Sequence, residues 1–353
     1  QKITIAFFDL NQKMLSADVG FSSLGNLIDS GEELAPSNIN ETLIPLTFKL
    51  IKSIPSIIKY KFFYNDKFER IDIDIDFSDY LILMKDRDIA IKNSILVSPQ
   101  LVDAKLQYQG KEYKAKLRLK GDLADHWLSK YRYSLRVKLK NKKTILGFSA
   151  FSIQKPRTRQ YPYNHIFQSL IQDTGNIAAN HKFAHIFVNG ENWGIMDLEE
   201  HMSKEFLEKQ NKKDSIVVRF SNDDKLKIFK QDSKTSFDGY RLSDPYIFSN
   251  LYNKKSLKYL QNRKAYSYVV KNRLSNTGSI YDLDSYSKAL IMSLVWNETH
   301  ALYHTNARYY FNPYTLKLEI ITTDQIRWNS SKNGITSEDG IAPLNNFFTR
   351  LLP

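Results

Sequence analysis

The amino-acid sequence predicts an α+β fold, with a strand-rich first part and helices and a late hairpin behind it. Three observations carry this. Residues from Glu112 to Lys120 and from Tyr133 to Leu139 alternate apolar and polar side chains, the period of a half-buried strand. Asn189-Gly190 lies between two apolar runs, and this pair suits the left-handed backbone of a tight hairpin turn. Residues Leu283 to Trp296 space Tyr286, Leu290 and Leu294 for one helical face.

The elements follow in order. Residues 1–75 read as a separate N-terminal region, with Ser, Asn and Gly clustered between Ser16 and Asn40 as loops. The strict alternation from Ile71 to Asp76 predicts an edge strand with an acidic face. It lacks the Gly turn and downstream Glu of a calcium loop. Val102 to Gln109 and Glu112 to Lys120 predict a hairpin across Gln109-Gly110. Tyr133, Leu135, Val137 and Leu139 share one face of the next strand, and Ser134, Arg136 and Lys138 the other. Asn164 to Asp173 predicts a helix with Ile166, Leu170 and Ile171 inward. Phe183 to Leu198 forms the Asn189-Gly190 hairpin, and Ser203 caps a short helix that buries Phe206 and Leu207. Residues 211–277 are polar and helical in patches. Arg308 to Phe311 and Leu316 to Thr322 make a last hairpin across Asn312-Pro313.

Composition bounds the function classes. The chain has 353 residues, of which 42% are hydrophobic and 13% aromatic, enough for a large core. It has no cysteine, which excludes disulfides, thiolate metal sites and Cys nucleophiles. A net charge of +13 favours anionic partners: nucleotide phosphates, nucleic acid, acidic glycans or an anionic membrane. No base-stacking motif is present, so specific nucleic-acid binding ranks last. No uncharged apolar window reaches 18 residues. Leu43 to Phe63 carries Lys49, Lys52, Lys59 and Lys61 and reads as packed or interfacial. The Lys-, Ile- and Asn-rich composition reads as bacterial. The chain opens on Gln1, and an upstream signal peptide or membrane anchor is the expectation.

Four segments resemble the spore-coat-protein-H (CotH) kinase-like family. Leu117 to Asp122, followed by Lys130 to Val137, is similar to the family's Arg-Gly-Asn turn, lysines and strand. His185 to Gly190 with Trp193 to Glu200 is similar to its Asn-Gly hairpin and following Glu. Asn306 to Phe311 and Ile320 to Asp324 are similar to its Asn-Tyr-Tyr strand and its Pro-Trp-Asp segment. The resemblance runs over about residues 100 to 330 in the family's order. It implies an atypical protein-kinase-like, two-lobed fold over residues 76–353. The sheet lobe would span about 76–200 and the helical lobe about 201–353. It also implies ATP with Mg²⁺ or Mn²⁺ as cofactors, and group transfer to a protein or surface polymer in an extracytoplasmic location.

Phosphoryl transfer needs cations on the phosphates, a carboxylate and an amide on the metal, and a group orienting the nucleophile. The resemblance puts Lys120, Gly121, Lys130, Arg136, Lys138 and Glu200 at the nucleotide, and Asn306 and Asp324 at the metal. Each also has a plainer reading: exposed strand lysines, turn chemistry at Gly121 and Asp122, and a cap at Asn306. Two departures bear on activity. The second family aspartate is Ile326, and the general-base position, five residues before Asn306, is Ala301. Either neighbouring His300 orients the hydroxyl, or the base is lost and the protein is a pseudokinase with a structural, assembly or adhesion role. His300 and His304 have zinc-like i, i+4 spacing but lack the metalloprotease Glu and a third ligand. Lys155 to Arg159 is a basic loop, either a phosphate or acidic-substrate contact or a solvated segment. Glu199 and Glu200 read as acidic residues ahead of a helix N-terminus.

Overall fold

The computed structural model describes residues 2–8, 14–20, 68–129, 131–220, 245–247, 256–272, 280–302 and 306–327. They form β1 (Lys2–Phe8), β2 (Met14–Gly20), β3 (Arg70–Asp74), α1 (Phe77–Asn93), β4 (Val102–Tyr108), β5 (Lys111–Leu119), β6 (Leu135–Leu139) and β7 (Ala150–Gln154). Then come α2 (Tyr163–Asp173), β8 (His181–Val188), β9 (Glu191–Glu200), α3 (Lys204–Lys209), β10 (Val217–Phe220) and β11 (Pro245–Ile247). The last elements are α4 (Leu257–Asn272), α5 (Leu283–Val295), β12 (Arg308–Asn312) and β13 (Lys317–Ile321). The chain divides into two units. One holds residues 1–145, 151–158 and 182–198, and the other holds 146–150, 159–181 and 199–353. The expected loops over Ser16–Asn40, apart from the end of β2, the segment Leu43–Phe63, Lys130 and His304 lie outside the described residues.

The first unit carries a hairpin, β1 against β2, and a closed barrel in the order β3-β4-β5-β6-β7-β9-β8. Alternation builds the barrel. Ile71, Ile73, Leu106, Leu117, Leu119, Leu135 and Val137 are fully buried while their neighbours in sequence face outward. Both expected hairpins form. Gln109 and Gly110 take φ of +49° and +71°, and Asn189 and Gly190 +48° and +80°, the left-handed pairs of tight hairpin turns. The strand over Ile71–Asp76 is not an edge. β3 pairs antiparallel with β4 and parallel with β8, and this parallel register (Ile71 opposite Ile186, Ile73 opposite Val188) closes the barrel. Asn189 seals the closure: its Oδ1 accepts from Ile75 N (2.7 Å) and its Nδ2 donates to Ile75 O (3.1 Å).

Two elements of this unit leave no periodic signal. α1 buries Leu83 and Ala90 but also Asp86 and Arg87, so its inward stripe is half charged. The charges are satisfied: Asp86 Oδ2 accepts from Gln100 N (2.6 Å), and Arg87 donates to Trp127 O (2.8 Å) and to Leu128 O. β7 is buried at every position, so it does not alternate.

The second unit is built on a four-stranded sheet in the order β11-β10-β12-β13. Both faces are covered. Phe167, Ile171, Tyr286, Ala289, Tyr309 and Phe311 pack on one side, and Phe206, Leu207, Val217, Tyr310 and Ile321 form the second cluster. Ser203 caps α3 as expected, accepting from Phe206 N at 3.2 Å. Helix faces shift from the expected ones. α2 buries Asn164, Phe167, Gln168 and Ile171 and exposes Ile166; α5 buries Ser285, Tyr286, Ala289 and Ser293 and exposes Leu294.

The two-lobed, protein-kinase-like fold with a helical second lobe is therefore corrected. The strands expected to make a sheet lobe close into a barrel through β3 and β8. The unit expected to be helical is organised on a sheet, two strands of which, β10 and β11, come from the stretch read as helical in patches.

Candidate functional site

The barrel strand β9 ends in two acids that turn to opposite sides, as successive strand residues do. Glu199 meets Arg159, which ends the 3₁₀ turn Pro156–Arg159. The guanidinium places Nη2 3.1 Å and Nε 3.3 Å from Glu199 Oε2, and Nη1 2.6 Å from Asp324 Oδ1. Arg159 and Glu199 side chains are each 10% exposed, whereas Asp324 is 37% exposed. Burial works against the Arg159 charge, but Asp324 and Glu199 outweigh it and hold its pKa above the ordinary value. Asp324 itself stands just past β13 with φ +63°, a left-handed backbone that Asp tolerates at a cost of order 1 kcal/mol. Its Oδ2 takes no hydrogen bond among the described residues.

The segment after α5 is tied to the same strand end. Asn306 Nδ2 donates to His300 O (2.9 Å), and Thr323 Oγ1 donates to Asn306 O. Gln325, 1% exposed, accepts from Ala301 N (3.2 Å) and donates to Glu298 O (2.8 Å). Its own N–H donates to Asn164 Oδ1 at 2.9 Å. One patch thus collects the backbone of His300, Asn306 and Asp324, with Arg159, Glu199, Gln325 and Asn164 as support. Ala301, at the expected base position, is fully buried and offers no titratable group.

The remaining candidates have other surroundings. Glu200 does not join Asp324. Its Oε2 accepts from Asn180 Nδ2 (2.7 Å) and its Oε1 from Lys209 Nζ (2.5 Å). Neither Glu199 nor Glu200 precedes the helix freely; both end a strand and are paired. In the barrel unit, Lys120 is 7% exposed and donates to Gln154 Oε1 (2.6 Å), and Gln154 Nε2 donates to the buried Asp197 (3.0 Å). Gly121 (φ +92°) lies against the His126 ring: a Cβ there would stand 2.0 Å from His126 Cγ. Arg136 and Lys138 are on β6, opposite Arg118 and Lys116.

Sequence reasoning named the basic loop but not the depth of Arg159, and it missed Glu199, Thr323 and Gln325 as partners. A buried acid at the close of an apolar strand was the available signal. Chemically, the patch presents one half-open carboxylate held by a fixed guanidinium, next in sequence to Thr323, whose hydroxyl ties in the Asn306 backbone. Carboxylate and amide oxygens suit a hard divalent ion such as Mg²⁺, which uses one or two protein carboxylates together with substrate phosphates. Among the described residues no helix is long and apolar enough to cross a membrane.

No curated protein matches the chain. The family described as CotH kinase protein matches residues 117–332, more than half of the sequence. That span holds Arg159, Glu199, Asn306 and Asp324, and the chain belongs to the CotH kinase protein family.

Proposed function

We propose that the chain is a kinase-like transferase that uses ATP with Mg²⁺ or Mn²⁺ and modifies a protein or surface polymer outside the cytoplasm. Family membership supports the kinase-like reading. The observation that carries the site is Asp324: partly exposed, left-handed in its backbone, and fixed through Oδ1 by Arg159 while Oδ2 takes no hydrogen bond among the described residues. Asp324 and Asn306 are the residues to hold a divalent ion. When bound, such an ion neutralises charge on the phosphate oxygens. Arg159 fixes the carboxylate's direction without spending both of its oxygens. His300 is the group assigned to orient the acceptor hydroxyl.

A second reading is a catalytically impaired member with a structural, assembly or adhesion role. The full burial of Ala301 at the base position favours it. One experiment separates the two. Thermal shift with ATP and Mg²⁺ or Mn²⁺ is measured on the protein and on Asp324→Asn, followed by mass analysis of candidate acceptors for a transferred group. Metal-dependent binding lost in Asp324→Asn, with transfer, supports the transferase. Binding without transfer supports the impaired form. No metal-dependent shift in the parent protein sinks the transferase reading and leaves the structural role.

A further inference from the structure

The outward face of β4, β5 and β6 stacks like charges directly across from one another. Arg118 lies opposite Arg136, Lys116 opposite Lys138, and Lys105 opposite Lys114. Lys140 follows β6 and donates its N–H to Lys114 O, so it extends the third rung. Side chains opposite one another on a sheet are about 5 Å apart, and like charges there destabilise the pair. Asp103 answers two of the lysines. Asp103 lies 2.5 Å from Lys140 Nζ and 3.2 Å from Lys116 Nζ. Hydrogen bonds from Lys140, then Lys116, hold its pKa below the ordinary value. Lys105, Lys114 and Lys138 are exposed and have no ion-pair partner among the described residues.

The usual structural reason for lysines on a strand fails here. Edge strands use them to prevent pairing with another chain, but β5 lies between β4 and β6 in a closed barrel. The two lysine rungs, Lys116 opposite Lys138 and Lys105 opposite Lys114, are kept on a central strand, which fits a face that meets an anion.

Rung spacing suggests which anion. Same-face residues along a strand are about 6.6–6.8 Å apart. Two extended residues contain six backbone bonds, and a phosphodiester repeat with six backbone bonds reaches about the same length. Phosphates on such a chain therefore fall in step with the rungs. The outward positions of the three strands are Asp103, Lys105, Gln107, Glu112, Lys114, Lys116, Arg118, Arg136 and Lys138. None is aromatic, so the face has no platform for stacking bases.

We propose that this face binds an extended polyol-phosphate polymer, one phosphate to each lysine rung. The inference does not rest on the proposed transferase activity. Its test is equilibrium binding of the whole protein to a synthetic glycerol-phosphate oligomer of about ten units, beside an oligothymidylate with the same number of phosphates. The oligomer is expected to bind with a steep salt dependence. Lys116→Gln with Lys138→Gln is expected to weaken binding about tenfold or more and to lower the log–log salt slope by about 1 to 2. Its Tm should hold or rise, because two facing charges have gone. An oligothymidylate that binds no tighter than the glycerol-phosphate oligomer agrees with the absence of stacking groups. No binding, unchanged affinity in the double variant, or tighter binding of oligothymidylate would each overturn the proposal.

Discussion

Arg159 Nη1 lies 2.6 Å from Asp324 Oδ1 while the rest of the same guanidinium is occupied by Glu199. A residue from a 3₁₀ turn, one from a strand end and one from beyond the last hairpin are thereby locked together. The fork is planar and always charged, so it sets the direction of the Asp324 carboxylate as well as its distance. A lysine would supply the charge without the direction.

Removing the fork should therefore cost more than removing its exposed partner. Arg159→Leu takes the guanidinium away from the buried Glu199, and breaking a buried pair from one side costs about 3–5 kcal/mol. Asp324→Asn removes a charge that is more than a third exposed, so solvent screening limits its cost to about 1 kcal/mol or less. Denaturant unfolding of both variants measures the difference. Equal losses would show that Glu199 is not the group that needs Arg159.

Much of this arrangement is legible in the sequence, and the reason it stops is physical. Asn189-Gly190, the Ser203 cap and the β12–β13 hairpin rest on local chemistry, and each formed as its residues predicted. The parallel pairing of β3 with β8 joins residues more than a hundred positions apart, and no local pattern encodes it. Periodicity also fails where inward positions are polar. Asp86 and Arg87 hide α1, and Asn164 and Gln168 shift the buried face of α2. At the site, Asp324 and Asn306 could be picked out by resemblance. Arg159 looked like a surface loop residue because its two carboxylate partners are 40 and 165 positions away.

Gly121 tests packing against ligand approach. Adding a methyl group there collides with the His126 ring and strains a backbone at φ +92°. Gly121→Ala is expected to destabilise the fold by about 1–3 kcal/mol. His126→Ala in the same chain should restore part of the loss, because the collision is with that ring. Chemical denaturation of the two single variants and the double variant checks this. No recovery in the double variant would place the whole cost in the backbone strain.

Ser203 has two duties, one as acceptor and one as donor, and both can be measured. It caps α3 through Phe206 N, and its hydroxyl also helps Glu205. Burial pushes the Glu205 carboxyl up, but its own backbone N–H with the Ser149 and Ser203 hydroxyls outweighs that and holds its pKa below the ordinary value. A lowered folded-state value means stability present above the unfolded pKa and lost as pH falls through the folded one. Ser203→Ala should cost about 1 kcal/mol as a lost cap. It should also raise the Glu205 pKa toward its ordinary value and flatten the acid side of the stability curve. NMR titration of Glu205 in the two proteins checks the shift.

Gln325 holds the segment that carries the base question. Its side chain bridges Ala301 N and Glu298 O from a position 1% exposed. Gln325→Leu keeps most of the volume but takes the partner from the Ala301 and Ile326 N–H groups and from the Glu298 carbonyl, at about 1–3 kcal/mol. The loss should be local. Amide exchange at Ala301 is expected to accelerate, while Ile320 and Phe311 in the sheet keep their protection. Arg159→Leu, by contrast, should loosen Asp324 with little effect on Ala301. A Gln325→Leu variant whose Ala301 amide exchanges at the parent rate would show that the segment is held by Asn306 and Thr323 instead.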